Sequence, residues 1–174
     1  MRKTKRVTLS AMMVALSVVM MVIGAVIDVL DLSACALASL VMVFAYIELG
    51  SPYTYLVWLC TTVLSAVIFP ASLVWFEYLL VFGIYPILKA YIEKLPRVFW
   101  WPIKLVYINA IIWLLIFFVD LIFGTQFLEG DTVWLKALTY ILINAAFIAY
   151  DFFITVMVRF YFDRLRHRFL RFLK

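Results

Sequence analysis

The sequence predicts an all-α integral membrane protein, a single bundle of six transmembrane helices with both termini cytoplasmic. Three observations predict it. Hydrophobic residues make up 68% of the 174, charged residues only 14%, and the mean hydropathy is +1.13. Soluble domains run at roughly 45–50% apolar and about 25% charged. The apolar residues also fall into six runs, each close to the ~20 residues that a spanning helix takes. When those runs alternate across a membrane, every basic residue except Lys136 falls on one side, as the positive-inside rule requires.

Each span follows from its borders. The longest uncharged run, 7–27, is the first span and is closed by Asp28 and Asp31. The second covers 32–49. Gly50-Ser51-Pro52 is a turn, because glycine and proline punctuate helices. The third covers 53–69 and ends at Pro70. The fourth covers 71–92 and contains Pro86, which lacks an N–H and should kink it. A loop holding Pro96, Arg97 and the interfacial pair Trp100-Trp101 leads to the fifth span, 103–123. A polar loop precedes the sixth, about 132–158, and a basic tail, 159–174, follows it. All of 1–174 is thus expected to form one domain.

On this map Arg2, Lys3, Lys5 and Arg6 face the cytoplasm, with Lys94, Arg97, Lys104 and the tail. Lys89 can snorkel to the same face. The net charge of +5 is explained by topology and does not point to nucleic acid. Six spans leave no room for a nucleotide-binding or soluble catalytic domain, so any ATP-driven activity requires other subunits.

The other side is acidic. Asp28, Asp31, Asp120, Glu129 and Asp131 lie at outer ends or in outer loops. They are either simply tolerated there or they attract a cationic ligand. Glu77 lies within the fourth span, where an ionisable group is expensive and reads as functional.

Helical spacing places Asn109, Trp113, Phe117 and Asp120 on one stripe of the fifth span. Tyr140, Asn144, Phe147 and Asp151 form a stripe of the sixth. Polar groups in lipid turn inward and pair, so both stripes should face the bundle interior. Helix packing accounts for Asn109 and Asp151. A ligand is the stronger reading for Trp113, Asp120 and Tyr140, at the level expected for Glu77. On the fourth span Tyr78, Phe82, Tyr85 and Lys89 share a face, and Lys89 is a candidate partner for Asp151.

Small residues recur at i and i+4 as Ala11 and Ala15 on the first helix, and as Ala34 and Ala38 on the second. Such patches let helices approach closely, or they are accidents of an alanine-rich composition. Leu32-Ser33-Ala34-Cys35 fits a lipobox, but the preceding apolar run is too long and two aspartates interrupt it. Cys35 and Cys60 read as small buried hydrophobes. His167 belongs to the basic tail. No metal site, no cofactor and no catalytic set is expected: the phosphate-cradling loop and nucleophile elbow are missing. In the tail, Arg164, Arg168 and Arg171 share one helical face, and Leu165, Phe169 and Phe172 share another. That pattern suits a membrane surface or a docked partner.

Taken together, the length, the six spans, the basic cytoplasmic ends and the segment Arg6-Val-Thr-Leu-Ser-Ala11-Met-Met-Val-Ala15-Leu resemble the S components of energy-coupling factor transporters. The segment looks like that family's AxxxA helix. The resemblance implies a subunit that captures a micronutrient or vitamin from outside the bacterial cell membrane at high affinity. It implies a transmembrane coupling subunit as partner, contacted by the alanines, and two cytoplasmic ATPases. It places the small-molecule ligand near the outer face, among Trp75, Glu77, Tyr78, Trp113, Phe117, Asp120, Tyr140 and Asn144. Aromatic rings with carboxylates nearby suit a cationic heterocycle. Two other classes stay open. One is a scaffold subunit of a membrane complex of the cell-shape type, whose polar stripes only pack helices. The other is a small carrier using Glu77 or Asp151 as a proton relay.

Overall fold

The computed structural model describes residues 3–123 and 133–165. Among them it is helical almost throughout, with no strand. Six helices are long and apolar enough to cross a membrane, the architecture of a multi-pass membrane protein. They are α1 (Lys3–Val26), α2 (Asp31–Leu49), α3 (Ser51–Ile68), α4 (Val74–Ile92), α5 (Trp100–Phe123) and α6 (Val133–Phe160). The expected spans agree with these to within a few residues. The distal part of the expected basic tail, 166–174, and the acids Glu129 and Asp131 lie outside the described residues.

The differences have local causes. α1 starts inside the basic segment, at Lys3, because hydroxyls there bond along the helix. Thr8 donates to the Thr4 carbonyl at 3.1 Å and Ser10 to that of Arg6 at 2.8 Å. α4 starts at Val74, later than position 71, because Pro70 and the residues after it form a turn. The Ser72 amide donates to the Phe69 carbonyl, and the Ser72 hydroxyl accepts from the Val74 amide. Gly50 alone separates α2 from α3. Its φ of +84° is strained for any residue with a Cβ.

Contacts divide the chain into two compact units in place of the one expected. Unit 1 holds α1, α2, α3, α4 as far as Ala90, and the end of α6 from Ile154. α1 packs on α2 and α3, α2 packs on α3, and the first turns of α4 touch all three. Met21, Cys35, Ala38, Met42, Val57 and Tyr85 are fully buried here. The end of α6 is tied in by polar bonds. Lys89 Nζ donates to Thr155 Oγ1 at 2.7 Å, and the Tyr161 hydroxyl donates to Glu48 Oε1 at 2.7 Å. The Tyr161 ring also packs on Phe44.

Unit 2 runs over 91–153 and joins α5 to the first part of α6. Its central feature is an ion pair. Lys104 Nζ lies 2.9 Å from both carboxylate oxygens of Asp151 and 3.4 Å from Glu93 Oε1. Lys104 and Asp151 are both buried. Further along, the Tyr140 hydroxyl donates to Asn109 Oδ1. The two bonds advance along α5 while they retreat along α6, so the helices are antiparallel.

Close approach of α1 and α2 sets unit 1. A Cβ at Gly24 would stand 2.7 Å from the Ala34 Cβ and 3.4 Å from the Asp31 Cα. Ala34 and Ala38 are therefore buried within the chain, which corrects their expected role as a surface for a partner. Lipid gives helices no hydrophobic reason to associate, so van der Waals fit between small residues does that work.

Gly24→Ala should destabilise the fold by about 1–3 kcal/mol, the usual cost of overpacking. Ala34→Gly in the same chain removes the clash and should restore most of the loss. Thermal unfolding of the purified protein in mild detergent reads both effects; an equally unstable double variant would refute the contact.

Candidate functional site

Two acids come together in unit 1. Asp31 opens α2, and Glu77 lies in the first turn of α4. Both places favour a carboxylate, because the N-terminus of a helix carries partial positive charge. The two carboxylates are close enough to repel each other. Between these helices Cys35, fully buried, donates its thiol to the Val74 carbonyl at 3.6 Å and feels both acids. The Glu77 Oε2 is shielded from solvent and has no hydrogen-bond partner among the described residues.

The next residue, Tyr78, points elsewhere, since neighbours on a helix diverge by about 100°. It is fully buried, and so are Ser17 of α1 and Thr61 of α3. The Tyr78 hydroxyl interacts with the side chains of both, yet none of the three oxygens makes a hydrogen bond of good geometry. Each hydroxyl can donate and accept, so the three offer a polar group that reaches them several partners. Beside them Ser65 donates to the Met21 sulfur at 3.4 Å.

The backbone of α4 is irregular at this point. Over Tyr78–Phe82 it widens to a π turn, and the Gly83 amide reaches back five residues to the Tyr78 carbonyl at 2.7 Å. Two neighbours explain it. Pro86 supplies no amide to the turn before it. The Trp58 ring stands 2.6 Å from where a Gly83 Cβ would be, and its indole N–H donates to the Leu79 carbonyl at 3.3 Å. π turns within α-helices are frequent at functional sites.

The other expected site residues are placed as follows. Trp75 is half-buried; its indole donates to the Pro70 carbonyl at 3.4 Å and its ring meets Phe76 edge-on. In unit 2 Trp113 is 68% exposed and Phe117 63%, a correction to the inward-facing stripe. Phe117 is wholly apolar and Trp113 has only its indole N–H as a polar group, and their helix buries Ile108, Ile111 and Ile112 in their stead. Tyr140 is exposed along its ring, with its hydroxyl on Asn109. Asn144 returns its amide to the Tyr140 carbonyl at 3.0 Å. Tyr140 thus links α6 to α5, whereas the Asn144 bond stays within α6. The Asp120 side chain lies outside those described.

The sequence reading missed Ser17 and Thr61 and saw Asp31 only as an outer acid. Hydroxyl residues on two apolar helices were the available signal. It offered Lys89 as a candidate partner for Asp151 and missed Lys104, which the structure brings to that carboxylate. Cys35 is buried as expected, but Cys60 is exposed. The buried face of α3 runs through Thr54, Val57, Thr61 and Ser65, and Cys60 lies off it. Among the described residues no group of three or more His, Cys, Asp or Glu can hold a metal ion.

No protein-family model matches this chain, and neither a curated protein nor a solved structure is detectably similar to it.

The buried ion pair makes its own prediction. Lys104→Met or Asp151→Leu alone leaves a charge in an apolar setting and should cost about 3–5 kcal/mol. Together they remove both charges, and the double variant should regain most of that stability. A double-mutant cycle in detergent unfolding measures the coupling; additive losses would show that the two side chains act independently.

Proposed function

We propose that this chain is the substrate-binding membrane subunit, or S component, of an energy-coupling factor importer of a micronutrient or vitamin. On this reading it lies in a bacterial cell membrane with both termini cytoplasmic. It captures a small cationic ligand on the outer side, at the end of unit 1 where α1 joins α2 and α3 joins α4. One observation carries the proposal: Glu77, within a span and beside Asp31, has a shielded carboxylate oxygen with no partner among the described residues. A carboxylate in that setting gains most from a positive group brought to it, because the low dielectric strengthens the attraction. Trp75, in the same turn of α4, adds an aromatic surface suited to a cationic ring.

The partner side rests on α1. Ala11 and Ala15 are exposed, unlike the buried Ala34 and Ala38. This face is the surface for the transmembrane coupling subunit, with two cytoplasmic ATPases behind it. The chain itself carries out no catalysis; it binds, presents and releases.

Tagged protein pulled from its native membrane in mild detergent should bring the coupling subunit and the ATPases with it. Small molecules extracted from the same sample should include one cationic compound. Glu77→Gln should weaken retention of that compound about 10-fold or more, the scale of a lost charge-assisted hydrogen bond. Ala11→Leu with Ala15→Leu should release the protein partners and leave the compound bound. Recovery of cell-wall or morphogenesis proteins with no ATPase would overturn the transporter reading.

A further inference from the structure

A second surface, in unit 2, has its own chemistry. The connection from α4 to α5 closes two spans, so it lies where membrane meets water. It is short and stiff. The Leu95 amide donates to the Ile92 carbonyl, the Phe99 amide to that of Pro96, and the Trp100 indole to that of Leu95 at 2.7 Å. On this frame Lys94 and Arg97 are both exposed. The nearby acid, Glu93, is engaged by the buried Lys104. Lys94 lies over the Tyr91 ring at 4.7 Å, and Arg97 makes no ion pair among the described residues. Two cations three residues apart thus stand without a carboxylate among the described residues. Around them apolar side chains project outward: Val98 is 80% exposed and Phe99 56%, with Leu95 and Trp101 exposed as well.

We propose that this connection binds an anionic phospholipid, its phosphate held by Lys94 and Arg97 and its acyl chains lying along Val98, Phe99 and Trp101. The pairing of charges with apolar wedges selects lipid over free phosphate. Free phosphate gains nothing from exposed phenyl and isopropyl groups, whereas an acyl chain buries them. The position at the ends of two spans puts the cations at headgroup depth, where basic residues next to a membrane meet anionic lipid. Tryptophan beside them is the residue type enriched at that depth. The stiff connection means that little ordering is needed on binding. None of this depends on which way the chain crosses the membrane.

The test uses the full chain in mild detergent, titrated with phosphatidylglycerol or phosphatidylcholine and read by native mass spectrometry. Wild type should hold phosphatidylglycerol the more tightly. Each basic residue near a membrane surface contributes about 1 kcal/mol, so Lys94→Gln with Arg97→Gln should lower that affinity roughly 30-fold. Phosphatidylcholine binding should hold within about twofold, since a zwitterionic headgroup gains little from added cations. Both changes are on exposed side chains and leave Lys104 and Asp151 untouched. Lys3→Gln with Lys5→Gln removes the same charge elsewhere and should leave phosphatidylglycerol binding within about twofold of wild type. Val98→Ser with Phe99→Ser should weaken both lipids. Three results would overturn the proposal. One is unchanged phosphatidylglycerol affinity in the Lys94/Arg97 variant, including the case where a co-purifying protein is lost instead. The second is an equal loss in the Lys3/Lys5 variant. The third is displacement of the lipid by glycerol 3-phosphate as effectively as by phosphatidylglycerol, which would assign the site to free phosphate.

Discussion

A hydrocarbon interior offers no water, so polar atoms within the spans need partners from the chain. Most of the structure obeys this closely. Thr54, Thr62 and Thr139 return their hydroxyls to the carbonyl four residues earlier. Asn109 and Asn144 do the same with their amides. Lys104 meets Asp151 with two short bonds, and Lys89 meets Thr155. The two lysine arrangements also select helix rotations, because a buried charge can be satisfied in few orientations. The fold therefore depends on polar satisfaction at least as much as on apolar fit.

Apolar fit supplies the rest, and it places the acids. Gly24 allows α2 to begin directly against α1, with Asp31 and Ala34 as its near neighbours. Asp31 is thereby held at the start of α2, within electrostatic reach of Glu77 on α4. A side chain at position 24 would push that turn away and carry Asp31 with it. Gly83 works similarly on α4. It accepts the Trp58 ring and completes the π turn at Tyr78, and so orients the tyrosine toward Ser17 and Thr61.

How much of this could be read in advance differs by feature. The six spans were legible because composition and charge placement are properties of whole segments. Glu77 stood out too, since a lone acid among apolar residues is conspicuous without any knowledge of rotation. Its neighbours were not. Ser17, Thr61 and Cys35 belong to three helices, and only packing shows that they converge near α4. Lys104 looked like an interfacial charge, because it lies only four positions after Trp100 and a loop; the turn of α5 buries it. Trp113 and Phe117 failed for the opposite reason. A stripe that includes one polar residue was read as wholly polar, although large aromatics sit comfortably against lipid. The α4–α5 connection was legible as interfacial, but the exposed cations with no ion pair among the described residues emerged only once Glu93 was seen bound to Lys104.

Within unit 1 the groups tied to α6 and the two acids lie at opposite ends of the same helices. Glu48 and Lys89 lie near the C-terminal ends of α2 and α4, and both are tied to the end of α6. Asp31 and Glu77 lie at the N-terminal ends, with Tyr78 and its hydroxyl neighbours one step deeper. One end is thus clamped, and the other carries Glu77, whose shielded Oε2 has no hydrogen-bond partner among the described residues. Ligand affinity is greatest where binding relieves an existing electrostatic cost, because a cation placed at Glu77 replaces repulsion from Asp31 with attraction. On the proposed function, the same cation would link α2 and α4 at that end. Binding and stiffening of that end would then be one event, and a partner contacting α1, which packs on both helices, would distinguish a loaded chain from an empty one.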